Sequence, residues 1–124
     1  MSLRHKAFSA VFKAIALTRA DRWGRGFAQG MGVILTLHHV RPARADRFQP
    51  NGLLEITPDF LDATLRLIRA EGYDIVSLDE ALVRLTSFRP GRFFVALTVD
   101  DGYRDTVEHA WPVLEKHDAP WTLF

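Results

Sequence analysis

Two adjacent carboxylates, Asp100 and Asp101, close the apolar run Phe93-Phe94-Val95-Ala96-Leu97-Thr98-Val99 and are followed at once by Gly102 and Tyr103. Carboxylates can take a proton or hold a cation. A run of β-branched and aromatic residues reads as a strand buried on both faces. The pair then falls at the strand's carboxyl end, where α/β sheets and barrels place their chemistry. Successive side chains of a strand point to opposite faces. One carboxylate is therefore expected to face a metal, and the other a substrate or water. Gly102 permits a sharp turn directly afterwards, through backbone angles closed to other residues. Read by spacing alone, Asp-Asp-Gly is equally a turn and helix-cap composition.

His38 and His39 follow the apolar segment Val33–Leu37, so one of them is expected to point to the same strand-end face. There it would touch substrate or support the site. A histidine held by hydrogen bonds at a strand end is the alternative. His109 and His117 fall on the helix expected after the acidic pair and read as surface residues, His117 near enough to the helix end to interact with its dipole. Tyr103 is the aromatic residue best placed beside the acidic pair, whereas Trp111 and Trp121 read as core. There are no cysteines, which excludes disulfides, thiolate metal sites and cysteine nucleophiles. A phosphoryl-transfer site using the two acids for magnesium would want a phosphate-binding glycine loop or a basic residue aimed at the pair, and neither is evident.

The elements that must position these groups are legible in outline. Gly24, Gly26, Gly30 and Gly32 separate a helical N-terminal stretch from a first strand over 33–38. Residues 41–55, with Pro42, Pro50, Asn51 and Gly52, read as an irregular loop. Thr57 before Pro58 is a helix start, a capping hydroxyl followed by a residue whose missing N–H costs nothing in the first turn. Phe60, Leu61, Leu65, Leu67 and Ile68 supply the expected buried stripe, and Gly72 the stop. Ile75-Val76 reads as a short strand. Ser77-Leu78-Asp79-Glu80 has capping-box spacing, predicting a second helix over 78–86. Pro90-Gly91 is a turn before the strand at 93–98. A helix over 104–117 follows, which Pro112 must interrupt or restart. Trp121 to Phe124 begin another strand. This alternation argues for an α/β fold of parallel strands with crossover helices.

In this order the segments resemble the polysaccharide deacetylases, carbohydrate esterase family four, the chitooligosaccharide or Nod-factor-type deacetylases. Thr98-Val99-Asp100-Asp101-Gly102 is similar to their first motif, Thr-Phe-Asp-Asp-Gly, with Val99 in place of the usual Phe. Val33 through His39-Val40 resembles the opening strand, which ends in a histidine. Ile56-Thr57-Pro58-Asp59-Phe60 through Gly72-Tyr73-Asp74-Ile75-Val76-Ser77-Leu78 resembles the first helix and the connection after it, and Ala119-Pro120-Trp121-Thr122-Leu123-Phe124 the start of the next strand. The likeness runs over residues 33 to 124. It implies the N-terminal part of a distorted parallel (β/α) barrel, and metal-dependent removal of N-acetyl groups from N-acetylglucosamine-containing oligo- or polysaccharides. It implies Asp100 as general base and Asp101 as ligand to a divalent metal, zinc first, with His38, His39 and Tyr103 as neighbours of a glycan substrate. The family's second motif, His-Ser/Thr-x-x-His, supplies two further ligands, and the neighbours of His5, His38, His39, His109 and His117 do not match it. Catalytic zinc uses three protein ligands and one open position. The 124 residues are therefore expected to be an incomplete domain, inactive alone and wanting its C-terminal part. A noncatalytic truncated fragment, or a carbohydrate-binding or interaction module, is the competing reading.

Composition sets the remaining bounds. With 48% hydrophobic and 25% charged residues over 124 positions, the chain has an ordinary globular composition rather than a disordered one. Residues 1–30 hold six Lys/Arg against one acid, a charge of +5 that leaves −4 for the rest of a chain whose total is +1. Phe8, Val11, Phe12, Ile15 and Leu17 approximate helical spacing, predicting a basic amphipathic extension over 1–30 ahead of the domain at 31–124. A solvated helix face is the plain reading of its charge, and weak contact with an anionic membrane surface the other. Lys13 interrupts the only apolar stretch suited to a leader, so a cytoplasmic protein is expected. No nucleic-acid-binding motif accompanies the basic residues, and nucleic acid is not an expected partner.

Overall fold

The computed structural model describes residues 3–25, 29–46, 48–87 and 91–124. Gly26 and the Pro90 half of the expected turn lie outside the described residues. Two compact units are present, Met1–Gly30 and Met31–Phe124. In the first, helix α1 (Leu3–Thr18) is followed by the single turn α2 (Ala20–Trp23). Arg19 sits between them in the left-handed region, at φ 55°. The Trp23 indole N–H donates to the Thr18 carbonyl at 3.3 Å across the break. The helical spacing of Phe8, Val11, Phe12, Ile15 and Leu17 is realised, and these side chains are exposed.

The second unit is built on β5 (Phe94–Val99), all six of whose residues are buried. Strand β1 (Gly32–Leu37) lies parallel along its whole length, from Gly32 opposite Phe94 to Leu37 opposite Val99. The other edge of β5 is shared. β4 (Asp74–Val76) takes Phe94–Ala96, and β6 (Trp121–Leu123) takes Leu97–Val99, both parallel. A smaller parallel pair joins β2 (His39–Val40) to β3 (Glu55–Ile56). Part of the stretch expected as irregular loop is therefore ordered, its last residues forming a short 3₁₀ turn (Gly52–Leu54) and then β3.

The two-residue period of β5 separates two cores. Val95 and Leu97 face Leu61, Leu65, Ile68 and Leu114, whereas Phe94 and Ala96 face Val76 and Ala81. Helix α3 (Pro58–Ala70) starts as expected, with the Thr57 hydroxyl accepting from the Phe60 N–H at 3.2 Å. Its buried stripe is narrower than expected. Leu61, Leu65 and Ile68 are buried, but Phe60 and Leu67 are exposed. The i, i+4, i+7 spacing selects the first three, and residues one position away are rotated by about 100°. Gly72, at φ +75°, ends the helix, and the Tyr73 N–H reaches back to the Ile68 carbonyl at 3.1 Å. That is the six-to-one closure a left-handed glycine permits. Helix α4 (Leu78–Thr86) has the Ser77 hydroxyl on the Glu80 N–H.

After the acidic pair the chain is helical from 104 to 116. Pro112 does not break it. A π-helical segment (Thr106–Ala110) precedes α5 (Trp111–Lys116), and the Trp111 N–H reaches the Thr106 carbonyl, five residues back. The widened turn lets the helix pass the proline's missing N–H and bulky ring. Two expectations fail on this helix. Trp111 is half exposed and meets Trp121 edge-on at 6.1 Å, rather than lying in the core. His117 is not a free surface residue, because its Nε2 donates to Asp62 Oδ1 of α3 at 2.8 Å and its side chain is only 10% exposed. Leu114 fully buries itself against α3, and that packing draws His117 inward.

Candidate active site

β5 ends on Val99, and the Asp100 N–H still donates to the Leu37 carbonyl at 2.9 Å, prolonging the β1–β5 ladder by one bond. The chain then turns through two consecutive left-handed residues, Asp101 at φ 67° and Gly102 at φ 55°. The carboxylates are therefore not separated by strand alternation, since Asp101 lies off the strand. They diverge because the turn does. Aspartate tolerates this region better than most residues, since its short polar side chain can bond locally.

The two acids have different neighbours. Asp100 Oδ2 lies 3.8 Å from His38 Nε2, with both side chains about one-third exposed. Asp101 lies beside Tyr103, where its negative charge, with burial and a hydrogen bond adding, pushes the tyrosine hydroxyl upward. His38 thus stands at the strand-end face, as one of the two histidines was expected to do. His39 turns the other way, into the protein, and is only 6% exposed. Its Nδ1 lies 2.8 Å from Asp105 Oδ2, and its ring stacks on Tyr103 with centroids 3.9 Å apart and planes 26° from parallel. A carboxylate oxygen only accepts, so His39 donates from Nδ1. One face of Tyr103 is consequently taken by His39.

Sequence reasoning passed over Asp105, and with it Arg41 and Glu55. Arg41 grips Glu55 through two guanidinium nitrogens, and its Nη1 lies 4.0 Å from Asp105 Oδ2. That hydrogen-bonded pair holds the Glu55 carboxyl below its ordinary range and raises Arg41. Asp105 Oδ1 and the Thr106 hydroxyl are buried without a partner among the described residues. The one available signal was Asp105 itself, an acid four residues after Asp101 at the start of a helix that must pack against the sheet. Nothing local distinguishes it from a solvated acid.

The described residues do not make a metal site on their own. Among them no group of three or more His, Cys, Asp or Glu side chains converges, and a catalytic zinc needs three protein ligands. His38 approaches Asp100, the expected base, whose neighbour Asp101 is the expected ligand.

No established family profile matches the chain. Over 72 residues it is 32% identical to the Bacillus subtilis (strain 168) protein named "Putative polysaccharide deacetylase YxkH", covering 57% of this chain and 26% of that one. Among solved structures it superposes on the Streptococcus pyogenes deacetylase PplD, determined with acetate, at a TM-score of 0.60 and 30% identity, covering 73% of this chain and 40% of that one. IcaB from Ammonifex degensii gives 0.65 and 28%, covering 77% and 39%. A de-N-acetylase from Aggregatibacter actinomycetemcomitans gives 0.59 at 20% identity over 74% and 36%, a likeness of fold alone. The chain spans about a quarter of the length of its Bacillus relative and about two-fifths of each superposed structure. The expected fold class is borne out: a parallel α/β sheet shared with the deacetylases over part of their domain. The chain is similar to polysaccharide deacetylases over that part. No described helix is long and apolar enough to cross a membrane.

Proposed function

We propose that these residues supply the first part of a hydrolase that removes N-acetyl groups from N-acetylglucosamine-containing glycans. The observation that carries the reading is the Asp100-Asp101-Gly102 turn at the carboxyl ends of β1 and β5, with His38 at 3.8 Å from Asp100, in a chain similar to deacetylases. Asp100 is partly exposed and prolongs the strand, so it can accept the proton of an attacking water. Asp101, carried outward by the turn, is the proposed metal ligand, and zinc the proposed ion. The other ligands of the proposed site come from outside the described residues. Tyr103, partly exposed beside the pair, is the proposed contact for a sugar ring. A cytoplasmic setting belongs to the same proposal, supported by Lys13 within the apolar stretch of the first helix.

The absence of three converging ligands among the described residues favours a second reading, a noncatalytic glycan-binding module. Acetate release from chitooligosaccharides separates the two. The assay compares this chain with the longest reading frame containing it, in the presence of zinc. Release by the longer protein, abolished by Asp100→Asn, supports the hydrolase. Glycan binding without release by either protein supports the module.

A further inference from the structure

The turn that presents both carboxylates runs through uncommon backbone conformations. Asp101 and Gly102 are successive left-handed residues, a conformation aspartate tolerates but that two residues in a row hold more firmly when their ends are anchored. Its first end is anchored by the Asp100 N–H on the Leu37 carbonyl at 2.9 Å. Its second end is Tyr103, a 38% exposed side chain whose ring lies on His39. His39 is itself fixed from behind by Asp105 at 2.8 Å. Asp105 comes from the helix that the turn leads into, so the loop 101–105 is closed on itself through a strand residue 66 positions away. The Thr106 N–H on the Tyr103 carbonyl at 3.0 Å completes the closure.

We propose that His39, oriented by Asp105, is a positioning residue that clamps Tyr103 and thereby fixes the turn carrying Asp100 and Asp101. The burial of His39 is then explained by orientation: a neutral aromatic of that size would pack, but only a ring with a directional N–H is held at one angle to Tyr103. The adjacent histidines straddle the turn, His38 at the Asp100 end and His39 at the Tyr103 end. The value of the clamp for chemistry rests on the hydrolase reading above, but its existence does not.

The test uses the full chain and nuclear magnetic resonance, so it reads the turn whether or not the hydrolase reading holds. In the wild type, ¹⁵N spectra show His39 protonated at Nδ1, and the Tyr103 ring protons move upfield from stacking. Tyr103→Phe and Tyr103→Leu change a partly exposed position, and dispersed amide spectra check that each variant folds. Tyr103→Phe keeps the stack and loses only the hydroxyl's bond to Asp101, so its amide exchange at Asp100 and Thr106 stays closer to the wild type than that of Tyr103→Leu. Tyr103→Leu removes it and speeds exchange at those two amides by about 2- to 10-fold, the worth of an aromatic pair. Asp105→Asn, tested beside them, shifts the His39 Nδ1 and Tyr103 ring signals together. The proposal is overturned if His39 carries its neutral proton on Nε2, if Tyr103→Leu leaves both exchange rates unchanged, or if Tyr103→Phe accelerates them as much as Tyr103→Leu.

Discussion

Asp100 and Asp101 are chemically alike, and their surroundings differ. Asp100 continues the β1–β5 ladder and meets His38, while Asp101 occupies a left-handed position beside Tyr103. In a protein that carries the complementary ligands, Asp100→Asn is expected to lower kcat about 10²- to 10⁴-fold, the usual worth of a general base, with metal content unchanged. Asp101→Asn is expected to lower metal content as well, because the charge of the proposed ligand is removed. Asparagine is the suitable replacement at 101, since it tolerates the left-handed backbone as aspartate does, so any loss reports charge rather than strain. Metal analysis beside turnover checks the pair. Equal metal loss in both variants would reverse the two roles.

At the scale of elements, two contacts decide how the sheet and helices meet. A Cβ on Gly32 would lie 2.5 Å from the Phe94 ring on the neighbouring strand, and Phe94 is itself buried. Gly32→Ala is expected to cost about 1–3 kcal/mol, the range for overpacking a filled site, measured as a lowered urea midpoint with unchanged slope. The second contact ties α3 to α5. Asp62 accepts from Lys116 and His117 through Oδ1, each at 2.8 Å, and pairs with Arg66 through Oδ2 at 2.6 Å. Hydrogen bonds from Lys116 and His117, with the nearby positive charges, hold its carboxyl at about 2, below the ordinary 3.8. A carboxylate with a depressed folded value stabilises fully above its unfolded value, and that contribution is lost as pH falls through the folded one. Stability should therefore drop between about pH 4 and pH 2. The check is denaturant unfolding across that window for wild type and Asp62→Asn, whose difference should shrink as pH falls. A difference independent of pH would show that the pair contributes no linkage.

At the scale of the molecule, the sheet shows more apolar surface than a closed core would. Val33 and Ile34 of β1 and Leu123 and Phe124 at the end of β6 are exposed, and among the described residues β1 pairs with β5 alone. Unpaired strand edges and exposed apolar sheet surface favour association. The isolated chain is expected to be marginally stable and to associate reversibly, with no zinc retained through dialysis. Sedimentation and thermal melting test the first half, where a soluble monomer with a sharp cooperative transition is the contrary result. Metal analysis after dialysis tests the second, where one equivalent of zinc is the contrary result.

What was written into local sequence is what depends on neighbours in the chain. The buried strand at Phe94–Val99, the Thr57 and Ser77 caps, the Gly72 stop and the Gly102 turn all follow from composition and spacing of a few residues. The placement of Asp100 and Asp101 at a strand end was legible for the same reason, although the cause of their divergence was not. Contacts between distant segments were decided elsewhere. The sharing of one edge of β5 by β4 and β6, the choice of Leu61 and Leu65 over Phe60 and Leu67, and the drawing-in of His117 depend on which surfaces meet. So does the split between two adjacent histidines, where His38 remains near Asp100 and His39 is buried against Asp105, 66 residues along the chain. A side chain's local pattern sets its backbone and direction. Its burial and its partner are properties of the surface that arrives opposite, and that surface exists only once the strands have paired.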